Sequence, residues 1–150
     1  QPKRRLEIFR YGRGTSCIDP IGCVRVLELI VRVRIPIPAP NTVQFFNKVG
    51  TREAQAISKL VMGFAARVEG GCLRHVRIGA GSIAATPIRL LDSEAFLEGK
   101  TADITTADAV ARVAEGEVQP IDDVRSSAEY RSFVVGTVLR RMVINSAGAP

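Results

Sequence analysis

The chain has 150 residues, enough for about one domain burying roughly 70% of its unfolded surface, and no apolar run in it reads as a membrane-spanning helix. Aromatics are only 5% with no Trp, which argues against a base-stacking surface. A formal charge of +6 points to an acidic partner, with Lys3, Arg4, Arg5, Arg10, Arg13, Arg25, Arg32 and Arg34 all in the first quarter.

Cys17, Cys23 and Cys72 are odd in number and lack paired CxxC spacing. That argues against a disulfide framework, a zinc site or an iron–sulfur cluster held by this chain alone, and a reducing cytoplasm is expected. The basic N-terminus has no apolar h-region, so no signal peptide is read, and an opening Gln1 reads as a processed, trimmed or partial chain.

Residues 1–25 read as a basic, flexible surface segment, with turns marked by Gly12, Gly14 and Pro20-Ile21-Gly22. Gly12-Arg13-Gly14 is a lone GxG without a clear strand before it or helix after it, so it is poor evidence for a phosphate cradle. From Val26 to Ile37 apolar residues alternate with Glu28, Arg32 and Arg34, the period of a strand with one buried face. The two arginines read as a solvated strand face. Three prolines in 36–40 make a stiff, extended exit.

Thr42–Val49 is expected to be a second strand, antiparallel to the first. Gly50 and Thr51 then turn the chain into a long helix, whose face is Ala54, Ile57, Leu60, Val61, Phe64, Ala65 and Val68. Gly63 reads as a point of close packing in that helix, and Gly70-Gly71 as its stop. A strand-to-helix corner presents free N–H groups and a favourable dipole, and Lys48 and Arg52 bracket it, so the corner is a candidate meeting place for a partner or cofactor. Cys72–Ala80 reads as a third strand, with Val76, Ile78 and Ala80 on one side. His75, the only histidine, reads as a surface or edge-strand residue. The run Gly79–Ala85 is small enough for a close backbone or ligand approach.

Three helices are expected next: Ser93–Glu98 with a Gly99 stop, Ala107–Glu115 capped by Thr105-Thr106 and closed by Gly116, and one started by the capping box Ser126-Ser127-Ala128-Glu129. The last carries Tyr130, Phe133, Val134, Thr137, Val138, Arg141 and Met142 on one face, and residues 145–150 read as a tail. The layout is an α+β domain with a mostly antiparallel sheet covered by helices and a C-terminal three-helix cluster. Asp122-Asp123 are adjacent carboxylates that read as backbone caps. No metal cluster or Ser–His–Asp arrangement is found.

Four stretches resemble one known family. Glu28–Pro36 is similar to the strand that closes the FAD-binding domain in flavoprotein subunits of molybdenum hydroxylases. Phe46-Asn47-Lys48-Val49-Gly50-Thr51-Arg52 with Ala56–Lys59 resembles the start of those subunits' C-terminal domain. Val76–Ala84 with Thr86-Pro87 and Glu94–Lys100 continues the likeness, and Pro120–Arg131 with Leu139-Arg140-Arg141 is its most specific piece. The family includes carbon monoxide dehydrogenase medium subunits and the flavin part of xanthine dehydrogenase.

The resemblance implies that residues 1–40 are the tail of a preceding FAD-binding domain and 41–150 a CO dehydrogenase flavoprotein C-terminal-like domain. It implies an oxidoreductase in which electrons pass from iron–sulfur clusters through FAD to NAD or another acceptor. The molybdenum cofactor and the clusters would sit on partner subunits, and most FAD contacts on upstream domains absent here, so this chain alone is expected to be inactive. Ile30, with Leu29 beside it, resembles an apolar site near the isoalloxazine, and Lys48 resembles a lysine that approaches the ring. A cation there favours an anionic reduced flavin. Arg52 either steers an acidic dinucleotide or interacts near Glu53. Asp123, Arg125, Tyr130 and Arg131 read as structural, pinning the last helix. The alternatives are a stand-alone basic interaction module without redox activity and, least supported, a nucleic-acid binder with steep salt dependence.

Overall fold

The computed structural model describes the side chains of residues 37–52 and 57–148, and for the first 36 residues only the backbone of four strands. The chain forms two compact units, residues 1–38 and 39–150.

In the first unit, β1 (Glu7–Tyr11) pairs antiparallel with β4 (Leu29–Arg34), with a register shift between Phe9 and Arg10. Between them in sequence, β2 (Cys17–Ile18) pairs with β3 (Val24–Arg25). Residues 1–25 therefore hold three strands where the sequence reading had an irregular segment. Two of these strands, β2 and β3, are only two residues long, and β1 finds its partner β4 well along the sequence, so little periodicity is left to read. Gly12-Arg13-Gly14 and the side chains of Arg32 and Arg34 lie outside the described residues.

The second unit is built on an antiparallel sheet in the order β5-β6-β7-β8: Thr42–Val49, Leu60–Glu69, Cys72–Gly81 and Ile88–Arg89. Two expectations fail here. The long helix over residues 51–68 is not formed: Leu60–Glu69 is the strand β6, paired on both sides. Strand β5 pairs with β6 and not with the strand before it.

The reason lies in the side chains of β6. Leu60, Met62, Phe64 and Ala66 alternate into the core, while Val61, Gly63 and Ala65 form the other face. Both faces are apolar or small, so a helical spacing can be drawn through them as easily as a period of two. Gly63 is not a close-packing point, since a Cβ there would meet nothing within 4 Å. Gly70 and Gly71, at φ +59° and +77°, form a two-residue hairpin loop joining β6 to β7, a geometry that favours glycine at both positions.

Three helices cover the core face. Helix α1 (Leu91–Leu97) begins slightly before the expected start, and Gly99 (φ +80°) ends it as expected. Its first turn has no side-chain cap of its own. Glu117 serves instead, accepting from the backbone N–H groups of Asp92 (2.9 Å) and Ser93 (3.0 Å). Helix α2 (Ile104–Glu117) is capped by Asp103, whose carboxylate accepts from Thr106 N–H at 2.7 Å, rather than by Thr105-Thr106. Gly116 lies inside α2 and does not stop it.

Helix α3 (Ala128–Ser146) starts within the expected capping-box segment, but its cap is Ser127, one residue after the Ser126 that the box spacing to Glu129 implies. Its buried face is Arg131, Val134, Val135, Gly136, Leu139, Met142, Val143 and Ser146. Tyr130 and Phe133, placed inward by the sequence reading, are 42% and 60% exposed. Ser146 is buried and donates to the Met142 carbonyl, so the helix runs into the stretch expected to be a tail. The core is Leu60, Met62, Phe64, Val76, Ile78, Leu97, Val110, Val135, Leu139 and Val143 with their neighbours. Each large side chain buried there contributes about 1.5–3 kcal/mol.

Helices α2 and α3 touch at Gly136, where a Cβ would lie 2.9 Å from the Ala111 carbonyl oxygen. Gly136→Ala should therefore destabilise by about 1–3 kcal/mol from overpacking, although alanine is the better helix former by about 1 kcal/mol. Urea denaturation measures the sign, and a stabilised variant would contradict this contact. Glu94 is 6% exposed and accepts from the Ile78 N–H (2.9 Å) and Arg89 Nε (3.0 Å). Glu94→Ala should cost about 2–4 kcal/mol in the same assay, because a buried N–H and a guanidinium lose their acceptor.

Candidate functional site

Strand β5 turns Val43, Phe45 and Val49 toward the core and Gln44, Phe46 and Lys48 away from it. Lys48 stands opposite Val61 on this outward face, exposed, and its ammonium meets no carboxylate among the described residues. Two residues earlier, Phe46 is 73% exposed and faces Gly63. Lys48 is thus a strand residue on the sheet face turned away from the core. The helix dipole expected beside it has no basis: residues 57–59 form no helix, β6 follows at once, and 53–56 lie outside the described residues.

Leu29 and Ile30 open strand β4, where they pair with Tyr11 and Arg10. Their side chains lie outside the described residues. Arg52 is exposed and engaged in an interaction of its own. His75 is exposed at φ +53°, and its backbone N–H donates to Glu98. Among the described residues no group of His, Cys, Asp or Glu is placed to hold a metal.

A second feature was only partly legible. The segment before α3 is folded by two carboxylates: Asp122 accepts from Ala128 N–H (2.6 Å), and Asp123 from Arg125 N–H (2.8 Å) and Ser126 N–H (3.0 Å). Arg131, 6% exposed, reaches back from the first turn of α3. Its Nη1 donates to the Ser82 carbonyl at 2.6 Å, and its Nη2 lies 2.6 Å from Asp123 Oδ2. This is the pinning of the last helix expected from the carboxylate and guanidinium near the capping box. The Nη2 contact is an ion pair whose alignment falls short of a hydrogen bond, and Nε has no partner.

Beside this arginine is a cleft of about 440 Å³. Its walls come from Ile57 and Ser58 before β6, the Ser82–Ala85 bend after β7, and Gln119, Ile121, Asp123 and Arg125 before α3. Only the Ser82–Ala85 part of the small-residue run borders this cavity, and at Gly79 and Gly81 a Cβ would meet nothing within 4 Å. Ser82 turns the chain there at φ +67°. Next to the cleft, Lys59 Nζ lies 4.9 Å from the centre of the Tyr130 ring, a cation–π contact that no spacing in the sequence announced.

Comparison with known proteins places this geometry. The CO dehydrogenase flavoprotein C-terminal domain family matches residues 45–146. The chain belongs to that family.

Among curated relatives of this flavoprotein domain, the carbon monoxide dehydrogenase medium chain of Afipia carboxidovorans is 29% identical over 119 residues, covering 77% of this chain and 40% of the relative. The xanthine dehydrogenase FAD-binding subunit of Escherichia coli O157:H7 is 24% identical, covering 81% and 42%. Among solved structures, reconstituted CO dehydrogenase from Oligotropha carboxidovorans superposes with a TM-score of 0.75 at 26% identity, covering 86% of this chain and 45% of that one. Quinoline 2-oxidoreductase from Pseudomonas putida 86 gives 0.73 at 25% identity, covering 83% and 42%. The chain thus spans about two fifths of the length of the curated relatives. The α+β fold expected from the sequence, a mostly antiparallel sheet with three helices, is the fold of this family.

The Arg125 N–H, above all, holds the Asp123 carboxyl below its usual range; desolvation opposes it, and Arg131 and the Ser126 N–H add to it. The folded value lies below the unfolded one. The stabilisation from Asp123 is therefore complete above the ordinary Asp value of about 3.9 and is lost as pH falls through the folded value. Asp123→Asn should lower stability at neutral pH and flatten the acid limb below about pH 4. Urea midpoints for both proteins across that range check this, and an unchanged acid limb would show that Asp123 is not what links α3 to pH.

Proposed function

We propose that this chain is the C-terminal part of a flavoprotein subunit that passes electrons from iron–sulfur clusters through FAD to an acceptor in a molybdenum-dependent hydroxylase or dehydrogenase. The match of residues 45–146 to the CO dehydrogenase flavoprotein C-terminal domain family carries this reading, supported by relatives named as a carbon monoxide dehydrogenase medium chain and a xanthine dehydrogenase FAD-binding subunit. In it, residues 1–40 are the tail of a preceding FAD-binding domain and 41–150 the C-terminal domain. The partners are an iron–sulfur subunit and a molybdenum subunit, the acceptor is NAD or another oxidant, and the location is the cytoplasm. Among the described residues no helix is long and apolar enough to cross a membrane.

The residues present suit FAD. An exposed lysine without a counter-ion can give its charge to an incoming group, whereas one locked in an ion pair could not. FAD, when bound, supplies one- and two-electron redox chemistry. Lys48 would hold positive charge near the ring and favour its anionic reduced form. Leu29 and Ile30 would supply apolar packing beside it.

In the complete enzyme, Lys48→Ala should lower the flavin midpoint potential on the order of 30 mV, the equivalent of about 1.4 kcal/mol for a two-electron couple. Reduction of the natural acceptor should slow, while turnover at the molybdenum site with an artificial dye stays nearly intact. Spectroelectrochemical titration and paired acceptor assays measure both. An unchanged potential with unchanged acceptor kinetics removes Lys48 from the site. A complete subunit that purifies without flavin absorbance, and cannot take it up, overturns the wider reading.

A further inference from the structure

We propose that the free edge of strand β5 pairs with the same edge of a second copy of this chain, the two strands running antiparallel about a two-fold axis at Phe46. The direction of the backbone groups carries this. The Asn41 carbonyl accepts from Val68 N–H at 3.0 Å and the Val49 carbonyl from Lys59 N–H at 2.7 Å, so the odd-numbered residues of β5 bond toward β6. Gln44, Phe46 and Lys48 therefore aim their N–H and C=O groups at the opposite edge, where no strand among the described residues pairs with them. Thr42 agrees with this alternation, its N–H turning back to the Ala39 carbonyl at 3.2 Å. Such an edge is normally blunted by a proline, a bulge or a covering element. The edge of β7 is covered in that way, by the carboxylates of α1. Strand β5 contains no proline, and its register with β6 is unbroken from Thr42 to Val49.

The occupant is a second copy because β5 is complementary to itself. With the axis at Phe46, Gln44 of each copy stands opposite Lys48 of the other, and every such pair exchanges both of its backbone bonds. On the exposed face the Gln44 carboxamide oxygen accepts from the opposite ammonium. The two Phe46 rings meet across the axis, which covers a side chain left 73% exposed in the single chain. On the core side Val43 meets Val49 of the other copy, so the two faces match. Other registers are poorer. An axis at Phe45 sets each Phe46 against Gln44 and loses the aromatic pair. An axis at Lys48 sets the two ammoniums opposite each other, which is destabilising. The contact runs along the strand edge and leaves the outward face of β6 and β7 open, so it does not rest on the flavin reading.

Sedimentation of the 150-residue chain over a concentration series should show a monomer–dimer equilibrium. Phe46→Lys replaces an exposed ring by like charges across the axis and should weaken the dimer about tenfold or more while leaving the monomer folded. Gln44→Glu turns each amide–ammonium contact into an ion pair and should tighten it about threefold at low salt, a gain that high salt removes. In hydrogen exchange, the amides of Gln44, Phe46 and Lys48 should slow as concentration rises, while those of Phe45 and Asn47 are protected by β6 throughout. The proposal is overturned if the chain stays monomeric up to about 1 mM, or if Phe46→Lys associates as strongly as the wild type. Association that leaves those three amides unprotected marks a different surface and also overturns it. So does protection of the three in a monomer, since the chain itself would then cover the edge. A dimer that Gln44→Glu does not tighten overturns the register.

Discussion

On its far side strand β7 pairs with β8 at Gly79 and Ala80 and, at its other end, meets Thr101 in a single bridge at Cys72. The rest of that edge would present unmet N–H groups, the usual liability of an edge strand. Helix α1 removes it with two carboxylates. Glu98 accepts from the N–H groups of His75 and Val76 at 3.0 and 3.1 Å, and Glu94 from that of Ile78 at 2.9 Å. The chain after α1 continues the pairing, with Gly99 N–H on the Leu73 carbonyl and Leu73 N–H on that of Lys100. The position of α1, and through Glu117 that of α2, follows from the need of one strand edge for acceptors. The Glu98 carboxyl shows the balance: desolvation pushes it up, and the two backbone N–H groups outweigh that and hold it below its usual range.

The same device recurs with opposite sign where β7 ends. There the sheet turns into the Ser82 bend, and the group that needs a partner is a carbonyl. Arg131 provides it from α3, across forty-nine residues of sequence. Helices α1 and α3 are thus tied to one strand and the bend that follows it, by carboxylates on N–H groups along its middle and by a guanidinium on the Ser82 carbonyl. The difference lies in completeness. Glu94 has two arginines beside it, Arg89 and Arg77. Arg131 has one carboxylate, one carbonyl and one donor left over. A cavity opens next to the less complete of the two.

How much of this the sequence disclosed depended on local chemistry. The start of α3, to within a residue, and the stop at Gly99 were legible because a hydroxyl or a positive φ acts within three residues. Strands β5 and β7 were legible because each has one polar and one apolar face. Strand β6 was not, since Val61, Gly63 and Ala65 on its outward face look as apolar as Leu60, Met62 and Phe64 on its inward face. The inward face of α3 was misplaced because Tyr130 and Phe133 carry weight in any hydrophobic pattern, whereas its real contacts include Gly136, Ser146 and a paired arginine. That a carboxylate and a guanidinium near the capping box pin the last helix was legible, but not that Arg131 rather than Arg125 reaches the body of the domain. The cleft was not, because its walls come from segments far apart in sequence.

Losing the helix at residues 51–68 changes the physics available to Lys48. A helix end would have added a fixed dipole and free N–H groups to the lysine's charge. On a strand, the lysine has only a point charge on a flexible stem, held by a backbone that the Val61 pairing keeps rigid. In open water such a charge is worth about 1 kcal/mol at 4 Å, and several times more once solvent is excluded. In the reading proposed above, its effect on a flavin would therefore depend on how much water is removed from the sheet face around Phe46 and Gly63. The domain would set where the cation stands, and the surface that closes over it would set how strongly the flavin responds.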